Sequence, residues 1–285
     1  MTTRTENTTA TSSTSHAVAP PHPGVQRIPA FKDNYIWLIV DATGRHAALV
    51  DPGDGEAAAQ AIRDASLTLT DVLVTHHHAD HVGGLDLLKS LWPQARIHAP
   101  RHPRIPGADQ VLQGGEQIHL DAIGITLEVI AVPGHTLDHL AYLARHHGSD
   151  PRPLLFCGDT LFAGGCGRLF EGTPAQMHGS LSTLAALPGE TLVYCAHEYT
   201  ESNLRFAAKV EPENPDLRLR IDQVWQARRD GLATVPSTLQ TEWRTNPFLR
   251  VNEPSVISTA SAWRGETLSG PVDCLAAVRA WKDAG

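Results

Sequence analysis

Cysteine is scarce in this chain of 285 residues. There are four thiols, Cys157, Cys166, Cys195 and Cys274, and no two of them form a C-x-x-C pair. That argues against a thiolate zinc site or a thioredoxin-like redox motif. Four cysteines in so long a chain do not make a disulfide framework, and they read as free thiols of a reducing cytosol. Long apolar runs are missing as well: none reaches the length of a transmembrane helix, so no membrane span is expected. An excess of positive charge is also missing. Lys and Arg number 23 against 31 Asp and Glu, a formal net charge of −8. Such a surface is unsuited to nucleic acid, although it can still hold a local basic pocket. With 41% hydrophobic and 19% charged residues, the composition is globular. The length suits one large domain, or one domain with a helical appendage.

The N-terminal residues 1–24 are rich in Thr, Ser, Ala and Pro and lack apolar bulk. They have neither a hydrophobic segment of the secretory kind nor an Arg-rich amphipathic pattern, and they read as a disordered tail. Beyond them, β-branched and aromatic runs at 34–40, 46–50, 71–75, 123–132, 140–144, 154–157 and 191–195 read as strands. Short strands are expected at 96–99 and 117–120. Helical patterns occupy 56–65, 82–92 and 174–186. Past residue 199, charges recur at helical spacing with Leu, Phe and Trp between them, and 272–282 reads as a last helix. The layout predicts an α/β sandwich of mixed sheets at 25–198, followed by a helical domain at 199–285.

What the chain has in abundance is histidine, 16 in all. The densest group is Thr75-His-His-His-Ala-Asp-His81, set between an expected strand and an expected helix. In an extended segment alternate side chains share a side, so His76 and His78 point together and His77 points away. Asp80 and His81 follow where the chain bends and can face a second ion. Three further strand ends carry ligand types: His135 in Pro-Gly-His-Thr, Asp159 in Gly-Asp-Thr and His197 in Ala-His-Glu. Seven imidazole and carboxylate ligands make two sites if one carboxylate is shared, which fits a two-metal centre better than a four-ligand structural zinc. This donor set accepts zinc first, with iron or manganese also possible. Asp51, in Asp-Pro-Gly, is either a turn residue or a carboxylate that orients a ligating histidine. His139 is assigned to packing or support beside the ligands. His16 and His22 fall in the tail. His46, His98, His102, His119, His146, His147 and His178 show no partner pattern and read as surface or packing residues.

Thr75 to His81, Gly134-His-Thr136, Gly158-Asp-Thr160 and Ala196-His-Glu198 together resemble the metallo-β-lactamase superfamily. Lys32-Asp-Asn-Tyr35, the segment Gly158 to Arg168, Phe170-Glu-Gly172, His197-Glu-Tyr-Thr200, Asn203-Leu-Arg-Phe206, Asn246-Pro-Phe-Leu-Arg250 and Val278 to Asp283 narrow the resemblance to the glyoxalase II family, the hydroxyacylglutathione hydrolases. The resemblance spans about residues 26 to 283 and implies an αββα sandwich with a C-terminal helical domain. It implies that His76, His78 and His135 hold one divalent metal and Asp80, His81 and His197 the other, with Asp159 bridging. It implies a glutathione thioester as substrate, held by Arg168, Tyr199, Arg279 and Lys282 with Asn203 nearby, in a cytoplasmic and monomeric enzyme. Phe170 stands where the family often has Tyr, and Arg168 where Lys is common. The implied reaction is hydrolysis of S-D-lactoylglutathione to glutathione and D-lactate, with Asp80 and Asp159 at its centre. A single-iron persulfide dioxygenase of the same fold, a nuclease, or a non-catalytic metal-binding protein are the competing readings. The acidic charge disfavours the nuclease. The His197-Glu-Tyr-Thr segment and the long helical C-terminus disfavour the dioxygenase.

Overall fold

The computed structural model describes residues 18–285. Residues 1–17 of the expected tail lie outside them. The rest of that tail is docked. Ala19 and His22 are buried. The Ala19 N–H donates to Pro236 O at 3.2 Å and the His22 N–H to Tyr194 Oη at 2.9 Å. The His22 ring donates from Nε2 to His147 O at 2.9 Å. Ala, Pro and His offer little apolar area, so composition hides an attachment made mainly by hydrogen bonds. His22 and His147 are therefore packing residues.

The first sheet comprises β1 (Val25–Ala30), β2 (Asn34–Val40), β3 (His46–Val50), β4 (Thr68–Leu73), β5 (Arg96–Pro100) and β6 (Gln110–Leu112), adjacent in chain order. Helices α1 (Gly55–Asp64), α2 (Ala79–Val82) and α3 (Leu85–Leu91) lie between these strands in the chain. Alternation along β2 serves two cores. Ile36 and Leu38 face α1 and α3, against Ile62, Leu85 and Leu88, whereas Tyr35, Trp37 and Ile39 face the second sheet. Burial on both sides explains why β2 is apolar throughout. The helix expected at 82–92 is broken at Gly83-Gly84. A Cβ on Gly84 would lie 2.3 Å from Pro52 O, so the chain passes too close there for any side chain.

The second sheet contains β7 (Gln117–Leu120), β8 (Ile125–Ala131), β9 (Leu140–Ala144) and β10 (Leu154–Gly158). A small hairpin follows, β11 (Leu161–Phe162) with β12 (Gly165–Cys166), then α4 (Pro174–Ala185) and β13 (Leu192–Cys195), which pairs parallel to β10. Helices α5 (Thr200–Val210) and α6 (Pro215–Arg229) come next. The chain then returns as β14 (Ser237–Thr238) to pair with β13 before α7 (Leu239–Thr245), α8 (Pro254–Arg264) and α9 (Pro271–Asp283). The C-terminal part is thus helical except for one short strand, which supplies the edge of the second sheet. Helix α4 buries Met177, Leu181 and Leu184 in the main core and completes the helix–sheet–sheet–helix layering. Two cross-links fix the sheets at one end: Trp37 Nε1 donates to Cys195 O at 3.0 Å and Tyr142 Oη to Val74 O at 2.7 Å. All four cysteines are free and buried.

Candidate metal centre and adjoining cleft

The ends of β4, β8, β10 and β13 converge beside these cross-links. The chain after β4 runs extended through His76 and His78 and then enters α2, which presents Asp80 and His81. His135 follows β8, Asp159 follows β10 directly and His197 lies two residues past β13. Gly158 turns the chain with φ +48°, and a Cβ there would lie 2.3 Å from Thr75 Oγ1, so only glycine delivers Asp159 to this place.

All seven expected ligands are brought together. His76 Nε2 lies 3.0 Å from His78 Nδ1, which lies 3.1 Å from His135 Nε2. Asp80, His81 and His197 form a neighbouring triplet, with His81 Nε2 and His197 Nε2 each 3.5 Å from Asp80 Oδ2. Asp159 stands between the groups. Its Oδ2 lies 3.5 Å from His135 Nε2, and its Oδ1 is 3.6 Å from His81 Nε2 and 3.4 Å from His197 Nε2. His81 Nε2 and Asp159 Oδ1 are buried with no hydrogen-bond partner. Three imidazole nitrogens within hydrogen-bond distance, beside orphaned buried acceptors, are the donor set that a pair of divalent cations satisfies.

Partners behind the rings fix which nitrogen faces inward. His135 Nδ1 donates to Arg168 O at 2.9 Å, and His197 Nδ1 to Asp33 Oδ1 at 3.0 Å. His81 Nδ1 lies 3.0 Å from Asp51 Oδ2. Asp51 also accepts from Thr75 N and Thr75 Oγ1, each at 2.7 Å. Of the two readings left open for Asp51, the geometry therefore puts its carboxylate on a ligand-type histidine. His139 stacks on His76 with centroids 4.6 Å apart and accepts from the Asp159 N–H at 3.1 Å. Sequence reasoning missed Asp33 and Asn34 as site residues. Asn34 Nδ2 donates to Asp80 Oδ2 at 3.0 Å. Both lie in the Lys32-Asp-Asn-Tyr35 segment at the start of β2.

The two halves differ in charge. Burial lowers the pKa of His76 far below the ordinary imidazole value, with neighbouring histidines adding to it, and burial likewise lowers His78 and His135. Burial alone would also lower His81, but Asp159, Asp51 and Asp80 push it up to about 9. Burial would raise Asp159, yet His81 and His197 hold it well below the usual carboxylate range.

A cleft of about 380 Å³ opens from His135 and Asp159 towards the C-terminal helices. Arg168, Phe170, Tyr199, Asn203, Arg279 and Lys282 all line it. Tyr199 stacks on His197 at 4.6 Å, and Phe170, 63% exposed, stands edge-on to His135 and His78 at the mouth.

Residues 31–197 match the family described as the metallo-beta-lactamase superfamily, and residues 198–285 match the hydroxyacylglutathione hydrolase C-terminus. A hydroxyacylglutathione hydrolase of Pseudomonas paraeruginosa (strain DSM 24068 / PA7) is 52% identical over 260 residues, which cover 91% of this chain and 98% of that protein. The chain belongs to the hydroxyacylglutathione hydrolase family. The hydroxyacylglutathione hydrolase of Pseudomonas putida (strain F1) is 49% identical over the same shares. Among solved structures, ETHE1 from Myxococcus xanthus superposes with a TM-score of 0.60 at 26% identity, covering 92% of this chain and 99% of that one. A metallo-beta-lactamase from Staphylococcus aureus subsp. aureus COL gives 0.59 at 21%, covering 90% and 71%. The layered sheets are thus the metallo-β-lactamase fold, carrying the helical region particular to hydroxyacylglutathione hydrolases.

Arg279 and Lys282 do share a helical face, but Arg279 is only 4% exposed. Its Nη1 donates to Cys166 O at 3.0 Å and its Nη2 to Asp283 Oδ1 at 3.0 Å. The guanidinium holds the β11–β12 hairpin as well as lining the cleft. Lys282 Nζ donates to Asn203 Oδ1, and burial, with Arg279 beside it, lowers its pKa to about 8. Arg168 is mostly exposed, 3.4 Å from Asp283 Oδ1.

Proposed function

We propose that the chain hydrolyses S-2-hydroxyacylglutathiones, S-D-lactoylglutathione first among them, to glutathione and the free hydroxy acid, the second step of methylglyoxal detoxification. The observation that carries this is the junction of a seven-ligand cluster with a cleft whose far wall is cationic. In this reading residues up to about 198 carry the reaction and residues 199–285 hold the substrate. His76, His78 and His135 would hold one divalent ion and Asp80, His81 and His197 the other, with Asp159 shared between them. We take both ions as zinc, which imidazole and carboxylate ligands suit. When bound, such ions supply Lewis acidity and bring the pKa of water from about 15.7 towards 7.

The protein's own groups do the rest. Asp80, whose Oδ2 is steadied by Asn34, would take up the proton of the attacking water. A C–O bond forms at the thioester carbonyl and the C–S bond breaks. A thiol of pKa near 8.5 leaves as thiolate without a strong general acid, which fits a site lacking a Ser–His or Cys–His pair. Arg168, Arg279 and Lys282 attract the glutathione carboxylates into a cleft of an otherwise acidic protein. Asn203 aims Lys282, and Tyr199 and Phe170 border the peptide part. Phe170 lacks the hydroxyl a tyrosine would offer there.

No helix among the described residues is long and apolar enough to cross a membrane, and the proposed setting is a cytoplasmic monomer acting on a dissolved substrate. The test is thiol release from S-D-lactoylglutathione, before and after chelation and after return of zinc. Release that vanishes with chelator and returns with zinc supports the reading. A metal-loaded protein that leaves the thioester intact overturns it.

A further inference from the structure

The geometry points to a third cation site, for a zinc-like dication, built by His77, His102 and Asp138 with Glu171 beside them. One ligand atom from each of His77, His102 and Asp138 lies within 4.8 Å of the others. None of these residues belongs to the seven-ligand cluster. His77 sits between two of that cluster's histidines but faces away, as strand alternation requires.

The surroundings are built rather than incidental. His77 is buried, and its Nδ1 lies 3.0 Å from Asp138 Oδ1. Its Nε2 lies 3.4 Å from Glu171 Oε1. The His102 ring stacks on that of His77 with centroids 3.7 Å apart and planes 12° apart. His102 Nδ1 accepts from the Arg104 N–H at 3.2 Å, which leaves Nε2 as its free nitrogen. Glu171 is steadied through Oε2, which accepts from the Leu137 N–H at 2.8 Å. Asp138 Oδ2 is buried and has no hydrogen-bond partner. An orphaned carboxylate oxygen in an enclosed place is costly, and a cation removes that cost. Two imidazoles and the Asp138 carboxylate give three protein ligands, and the imidazoles favour zinc over magnesium or calcium.

The site is open to a direct count. Zinc-loaded full-length protein is dialysed against excess free zinc, returned to metal-free buffer by rapid desalting, and assayed for zinc per chain by elemental analysis. His102→Ala, Asp138→Asn and the control His178→Ala, a half-buried histidine outside both clusters, are treated in parallel. The expected result is one zinc equivalent fewer in His102→Ala and in Asp138→Asn than in the unaltered protein, with His178→Ala unchanged. Because the readout is a difference of one equivalent, it stands whatever the occupancy of the seven-ligand cluster and whatever the substrate. Equal zinc in all four proteins overturns the proposal, as does a loss shared by His178→Ala. Thioester turnover of His102→Ala serves as the folding control. A variant that retains turnover but lacks the extra equivalent assigns the ion to this site, whereas retained turnover with the full equivalent sinks it.

Discussion

The two ends of the cleft are assembled in opposite ways. At the metal end three of the histidines have a partner behind the ring, Asp51 behind His81, Asp33 behind His197 and Arg168 O behind His135, and His139 holds the Asp159 backbone N–H. At the cationic end groups have several tasks. Arg279 braces a hairpin and meets Asp283 while lining the cleft, and Lys282 leans on Asn203. A ligand set must be held to fractions of an ångström, whereas attraction of a carboxylate tolerates looser geometry. The metal end should therefore respond steeply to single changes and the cationic end gradually.

The steepest response is expected at Asp159, whose two oxygens face the two ligand groups. Asp159→Ala should lose both metals and lower kcat/KM on the order of 10³-fold. Elemental analysis with thioester kinetics checks this, and two retained metals with near-normal turnover would remove the bridging role. Asp51→Asn comes next. Asp51 has φ 52°, a conformation Asn tolerates, and Asn keeps an acceptor for Thr75 N. The loss is the charge on His81, expected to weaken metal affinity or activity about 10- to 100-fold with the fold intact. An unchanged metal affinity would make Asp51 a turn residue after all.

At the cationic end, Lys282→Ala should raise KM for a glutathione thioester about tenfold and leave kcat nearly alone, because the contact is the same in ground and transition states. A small thioester without the peptide should be unaffected. Arg279→Ala should show the same KM effect together with a lower Tm, since it also removes the brace on Cys166 O. If the two variants melt alike, the several-task description of Arg279 is wrong. The smallest effect is expected for Phe170→Tyr. A hydroxyl added to an exposed ring at the mouth should lower KM by less than about tenfold, with kcat unchanged.

The gathering of ligand-type residues at the metal end was legible because they sit at strand ends, where period-two runs stop at Gly, Pro or Asp. His76, His78, Asp80 and His81 are also neighbours in sequence. Asp33 and Asn34 were not legible, because their partners His197 and Asp80 are far away in the chain. The helical character of 200–229 and the last helix were readable from charge spacing, but the break between α5 and α6, helices α7 and α8, and β14 were not. Two residues have no periodicity, and only the exposed edge of β13 makes a strand of them. The docked segment at 18–24 escaped for the reason given by its composition. The cleft residues came from family resemblance, since a basic helical face alone does not tell a ligand site from a solvated one.

Glu198 follows His197 directly, and its carboxylate accepts from Tyr35 Oη at 2.7 Å and from the Thr234 N–H at 2.9 Å. One side chain thus clasps the second strand of the chain to the segment that returns as β14. The C-terminal helices are therefore no interchangeable cassette. A chimera joined at residue 198 would inherit a foreign closure over the strand that delivers His197. Recombination between relatives would keep a working metal site only if Tyr35, Glu198 and Thr234 travelled together.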